Sequence, residues 1–143
     1  MRGVDVNVLV HAHRPEAERH SEFLAWLDHA RIDNEPLGLS DLVLSGFLRI
    51  VTHPRVFVVP TPLSVALDFA STLRESPATV SIQSGPRHWR IFEGLCNSIQ
   101  VRGNDVPDAY LAALAIEQGT TWYTCDRGFA RFPGLNWRHP LDS

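Results

Sequence analysis

Short β-prone runs alternate with longer helical stretches along this chain, which restricts it to an α/β fold of layers with parallel strands. Residues 1–6 read as a short buried strand and 8–12 as the beginning of a helix. Across 18–30, Phe23, Leu27 and Ala30 share one stripe with Trp26 beside it, while Arg19, Glu22 and His29 lie elsewhere around the wheel. Residues 37–39 make a second strand. Ser40 then caps a helix over 41–51 whose buried face is Leu44, Phe47, Leu48 and Val51. His53-Pro54 ends that helix, and 56–59 is a brief β-prone run before the turn at Pro60-Thr61-Pro62. The spacing of Leu63, Ala66, Leu67 and Ala70 predicts a helix over 63–73, followed by an extended run at 78–82 and a helix over 89–95. Pro107 suits the first turn of a helix reaching about Gln118, with Gly119 as its C-cap. A strand at 121–124, a turn at Asp126, a short helix over 127–132 and a last strand at 136–139 complete the chain.

Three aspartates stand where these elements change. Asp5 and Asp126 directly follow β-prone runs, and Asp108 opens a helix, where the backbone dipole favours an ionised carboxylate. Taken singly, each reads as a helix cap or a turn residue. Open parallel sheets, however, bind ligands beyond the carboxyl ends of their strands. If these three ends are neighbours, they form an acidic cleft, and carboxylates a few Å apart either capture a proton or bind a cation. A hard divalent ion is the chemical match, and phosphodiester cleavage the usual use for it.

Composition narrows the alternatives. At 143 residues and 44% hydrophobic, the chain suits one domain over 1–143. It has no apolar run of membrane-spanning length and no signal-peptide pattern, so a cytoplasmic location without membrane contact is expected. Cys96 and Cys125 are too few for a disulfide framework and read as reduced, small buried hydrophobes. All 13 basic residues are Arg, which excludes P-loop and Schiff-base chemistry, since both need a lysine. Setting Asp5, Asp105, Asp108 and Asp126 aside takes the net charge from −3 to +1. A basic rim drawn from Arg49, Arg55, Arg87, Arg90, Arg127 and Arg131 around an acidic pocket is therefore feasible for a nucleic-acid enzyme. His11 and His13 lack a third ligand at metal-binding spacing, and the four tryptophans suit the core better than base stacking.

The blocks VDVNVLV, LSDLVLSGFLRIVTHPRVF and VPDAYLAALAIEQGTTWYTCDRGFARFPGLNW together resemble the PIN-domain family, most closely its VapC-type toxin ribonucleases. The resemblance implies a PIN-like three-layer fold with a central parallel sheet flanked by helices. It also implies an endoribonuclease dependent on Mg²⁺ or Mn²⁺, the toxin of a toxin–antitoxin pair, frequently homodimeric and inhibited by a small antitoxin. Asp5, Asp108 and Asp126 match the family's metal-site aspartates. Asn7 and Thr124 match polar positions that orient a carboxylate or a water, with a turn Asn and a strand-end Thr as their plain readings. The chain departs from the pattern at Gly46, where the family commonly has a glutamate. Asp41 and Asp105 are the candidate replacements, against plain roles as a helix-start acid and a loop or capping acid. Glu117 faces away. The missing acid keeps a second reading open, a PIN-like module that binds antitoxin or RNA but cuts poorly; the RNA-contacting residues are not readable.

Overall fold

Each strand has two or three residues, and the three central ones have a neighbour on both sides. The computed structural model describes residues 1–142. The order is β1 (Arg2–Val4), α1 (Val6–His13), α2 (His20–Ala30), β2 (Leu37–Leu39), α3 (Asp41–Val51), α4 (Leu63–Arg74), β3 (Thr79–Ser81), α5 (His88–Ile99), α6 (Asp105–Glu117), β4 (Thr121–Tyr123) and β5 (Trp137–Arg138). A 3-10 turn, Arg127–Arg131, joins the last two strands. All pairings are parallel and the strand order is β3-β2-β1-β4-β5.

That order places β1 in the middle. The chain steps outward through β2 and β3, then returns across the sheet to lay β4 on the other side of β1. Right-handed crossovers running in opposite directions put their helices on opposite faces. Accordingly α1 packs on α2 and α3, and α3 on α4, while α5 and α6 pack on each other. The reversal between β1 and β4 is the switch point at which open α/β sheets form their ligand crevice.

The core draws on every layer. Val4, Leu37, Leu39 and Trp122 come from the strands, Leu9, Leu27 and Phe47 from one helical layer, and Ala109, Ala112 and Ala113 from α6. Alanine lets α6 lie close to both the sheet and α5. Ser40 caps α3 by accepting the Leu42 amide at 3.1 Å, and among the described residues no helix is long and apolar enough to cross a membrane.

Several local expectations change. Residues 56–59 form turns and not a strand, and Val58 is 99% exposed, because no sheet edge is within reach to pair them. On α4 the buried residues are Ala66, Ala70 and Leu73, while Leu63 and Leu67 face outward. The helix meets α3 and β3 through its small side chains and so sits closer than larger ones would allow. On α3 it is Val43, in place of Leu48, that joins Leu44, Phe47 and Val51 in the fully buried set. α2 begins at His20, since Arg19 adopts a left-handed φ of 58°. Trp89 is 66% exposed on α5, whereas Trp122 is wholly enclosed. Cys96 and Cys125 are free and only half-buried.

Candidate active site

Asp5 is the residue after β1 and the N-cap of α1, so its Oδ1 accepts the Val6 amide at 2.7 Å. Its Oδ2 accepts the Thr124 hydroxyl at 2.7 Å and the Asn7 side-chain amide at 3.3 Å. Thr124 Oγ1 also accepts from Asn7 Nδ2 at 3.2 Å and from the Asp126 amide at 3.0 Å, and Asn7 Oδ1 accepts the Cys125 amide at 3.0 Å. This network ties the end of β1 to the end of β4. Only parallel neighbours in register can do so, and the β1–β4 pairing of Val4 with Tyr123 sets that register. The carboxylate is 6% exposed. Burial pushes its pKa up to about 6 against the pull of the Thr124 and Val6 bonds, and the charges of Asp108 and Asp126 push the same way.

Asp108 sits in the first turn of α6, half-buried. Burial raises its pKa, a hydrogen bond from Arg131 opposes this, and the charge of Asp126 adds to the rise; the net shift is upward from its ordinary value. Asp126 caps the 3-10 turn, its Oδ1 accepting the Gly128 amide at 2.8 Å. Arg131 donates to the Gly128 carbonyl at 2.6 Å, to Asp105 at 3.2 Å and to Asp108 at 3.4 Å. Asp5, Asp108 and Asp126 line one cavity of about 540 Å³, with Asn7 and His11 of α1, Ser45, Gly46 and Arg49 of α3, and Phe129.

The other acids stand apart. Asp41 is 67% exposed and accepts from Arg74 Nε at 3.0 Å and Nη2 at 3.2 Å, outside the cavity. Its place at the start of α3 turns it towards α4, so it does not stand in for an acid at Gly46. Asp105 reaches the site only through the guanidinium it shares with Asp108. Glu117 does face away from this cavity, but it is buried and bound to the amides of Gly85 and Arg87.

The donor set around the cavity is carboxylate oxygen, the preference of a hard divalent cation. Among the described residues, no three Asp, Glu, His or Cys side chains converge tightly enough to form a ready-made metal cage. Arg131 engages Asp108 and the Gly128 amide engages Asp126, so Asp108 and Asp126 are close enough to push the Asp5 pKa up, but the three acids do not converge on one point.

A model of the PIN domain family matches residues 4–135. The chain belongs to the PIN-domain family. Ribonuclease VapC43 of Mycobacterium tuberculosis is 48% identical over 139 residues, 97% of this chain and 95% of that protein. Ribonuclease VapC25 of the same organism is 34% identical over 137 residues, 96% of each chain. Among solved structures, VapBC2 from Rickettsia felis, bound to a DNA fragment from its promoter, superposes with a TM-score of 0.70 at 17% identity, covering 96% of this chain and 97% of the other. VapC20 of Mycobacterium tuberculosis, a sarcin-ricin loop cleaving toxin, superposes at 0.65 with 15% identity, over 94% and 98%. The all-parallel five-stranded sheet with helices on both faces is therefore a PIN fold in its VapC form.

Within this PIN domain, the position that commonly carries a glutamate in the family faces the cavity as Gly46. A Cβ there would sit 3.0 Å from Val6 Cγ2. The residues that sequence reasoning did not place are Arg131, offered only as part of a rim, and Ser45. Spacing along α3 could have found Ser45, since residues 42, 45, 46, 49 and 50 share one helical face.

The hydroxyl of Thr124 is the hub of the site, and replacing it with the isosteric Val leaves the Asp126 amide and Asn7 Nδ2 without their shared acceptor. RNA cleavage by Thr124→Val is expected to fall roughly 10–100-fold, with an unchanged fold by circular dichroism. Full activity would show that Asp5 needs no such support.

Proposed function

We propose that Asp5, Asp108 and Asp126 together hold one Mg²⁺, for which Mn²⁺ can substitute, and that the chain hydrolyses RNA with it. The chain is a VapC-type endoribonuclease, the toxin of a toxin–antitoxin pair; the identity of the ion and its ligands are our reading. When bound, such an ion neutralises charge on the phosphodiester and acidifies a water for in-line attack without a covalent enzyme intermediate. One observation carries the assignment. Three carboxylates from three separate elements line a single cavity at the switch point between β1 and β4.

The chain's own groups do the positioning. Val6 and Thr124 hold the Asp5 carboxylate from both sides, and Asn7 bridges Asp5 to the backbone of the β4 end. Apolar Val10, Leu111 and Phe129 lower the dielectric around the acids. The same reading has RNA as substrate, a homodimer as the working assembly and a small antitoxin as inhibitor, whose arginine would compete for carboxylates as Arg131 already does within the chain. Gly46 supports a second reading, a PIN module that retains partner binding but cuts poorly.

Purified chain freed of antitoxin should cleave total RNA with Mn²⁺, lose cleavage in EDTA and regain it when Mn²⁺ is returned. Intact RNA under these conditions, with antitoxin binding retained, would favour the binding module. Cleavage should also fall as pH drops through about 6, because the proton that Asp5 takes up there competes with the cation. The stability contribution of Asp5 moves the other way. The folded chain binds that proton more tightly than the unfolded chain, so Asp5 by itself contributes stability as pH falls from 7, against the opposite contributions of His13 and His139, whose pKa burial lowers. A cleavage rate flat between pH 5 and 7 would contradict the role given to Asp5.

A further inference from the structure

The cavity lining carries charges of both signs. Asp5, Asp108 and Asp126 supply its acidic lining, and α3 contributes Leu42, Ser45, Gly46, Arg49 and Ile50 to the same cavity. Arg49 is the one arginine lining the cavity. It is exposed, and among the described residues its guanidinium has neither an ion pair nor a hydrogen bond. Two arginines beside the acids are engaged, Arg131 by Asp105 and Asp108 and Arg127 by Asp142. An exposed guanidinium on the lining of an acidic cavity stays solvated and is available to an anion that enters it.

Gly46 explains why Arg49 stays free. It lies three residues before Arg49 on the same helical face, and a glutamate at that spacing is the favoured partner of an arginine one turn later. Without a side chain at 46, the guanidinium has no local counter-ion, and the floor of the cavity between it and the acids is open. We propose that Arg49 binds a phosphate of the RNA substrate, next to the bond that is cut, and that Gly46 keeps it available for that contact. The inference rests on the reading that RNA is the substrate and that a cation occupies the acidic lining. The acidic lining then takes the metal, Arg49 takes the phosphate oxygens, and its planar fork suits bidentate contact with them.

The test separates phosphate binding from metal binding. A fluorescein-labelled oligouridylate is titrated by anisotropy in EDTA, where no cleavage occurs, and Mn²⁺ binding is measured separately by calorimetry. Arg49→Ala should weaken the oligonucleotide roughly tenfold and lower the slope of log affinity against log salt by about 0.7, with Mn²⁺ affinity not reduced. Arg49→Lys should recover part of the RNA affinity, and Arg74→Ala, which removes an arginine paired with Asp41 outside the cavity, should leave RNA affinity unchanged. With Mn²⁺ present, Arg49→Ala should raise KM. Gly46→Glu should weaken RNA as much as Arg49→Ala, and adding Arg49→Ala to it should cost nothing further. RNA affinity and salt slope unchanged in Arg49→Ala would overturn the proposal, as would an Arg74→Ala loss of the same size. If Asp108→Asn leaves Mn²⁺ binding intact, the metal reading fails while the RNA titration still decides on Arg49.

Discussion

Asp108→Asn is expected to lower RNA cleavage roughly a thousandfold, the equivalent of about 4 kcal/mol of transition-state stabilisation. Asn keeps the shape of the side chain and an oxygen for Arg131, so what is lost is charge at the cavity wall. The fold should tolerate the change. Asp108 is half-buried with its pKa raised by burial and by Asp126, so removing the charge relieves repulsion in the metal-free protein, and the melting temperature should hold or rise. Two other aspartates serve as controls. Asp41→Asn should cleave as the parent does, because that side chain pairs with Arg74 outside the cavity. Asp105→Asn, which shares Arg131 but does not line the cavity, should lose far less than Asp108→Asn. Initial rates with Mn²⁺ for the three variants decide the matter: Asp108→Asn within tenfold of the parent, or Asp41→Asn as damaging as Asp108→Asn, would sink the proposed ligand set.

Glu117→Ala should be the most destabilising acid substitution in the chain, costing about 3 kcal/mol and lowering the melting temperature by roughly 10 °C for a domain of this size. Glu117 ends α6, is only 8% exposed, and accepts the Gly85 amide at 2.6 Å and the Arg87 amide at 2.9 Å. Its backbone carbonyl accepts from Arg87 Nη2 at 3.1 Å. Together these bonds fasten the connection from β3 into α5 onto α6, the helix that carries Asp108. A Cβ at position 85 would lie 2.7 Å from Glu117 Oε2, so the contact also requires glycine there. Burial works against the charged form, but the Gly85 and Arg87 amides, with Gln118 and His88, outweigh it and hold the carboxyl below its usual range. Its contribution is therefore present above the unfolded pKa and is lost as pH falls through the folded one, so the gap between parent and variant should narrow only in acid. Thermal melts at pH 7 and pH 4 measure this, and a variant within about 1 kcal/mol of the parent at pH 7 would show that the amides find other acceptors.

Much of the architecture was legible from local signals. Ser40 as a cap, the stripe of Phe23, Leu27 and Ala30, the proline in the first turn of α6 and the glycine beyond its end act within one or two turns, and such signals survive whatever the rest of the chain does. The β-prone run at 56–59 misled for the opposite reason, because a strand exists only where an edge is offered to it. On α4 the spacing of Leu63, Ala66, Leu67 and Ala70 predicted the helix, but only the two alanines of that stripe are buried, with Leu73, because periodicity shows that a stripe exists and not which of its members pack closest. Glu117 was rightly placed away from the cavity, yet nothing in its neighbours along the chain signals an anchor for amides at Gly85 and Arg87, about thirty residues earlier.

By itself the sequence determined the alternation of strands and helices, the resemblance to PIN domains, and the position of an aspartate at the end of three elements, because each depends on residues close together along the chain. Only the tertiary structure decided which ends meet. Asp5 and Thr124 are 119 residues apart, and the return of β4 to the side of β1 is what puts a hydroxyl 2.7 Å from that carboxylate. The same folding sends Asp41 to Arg74 and puts Arg49, unpaired among the described residues, on the lining of the cavity that holds the acids. Charge pairing across a fold is set by strand order and helix packing, which no spacing along the chain encodes.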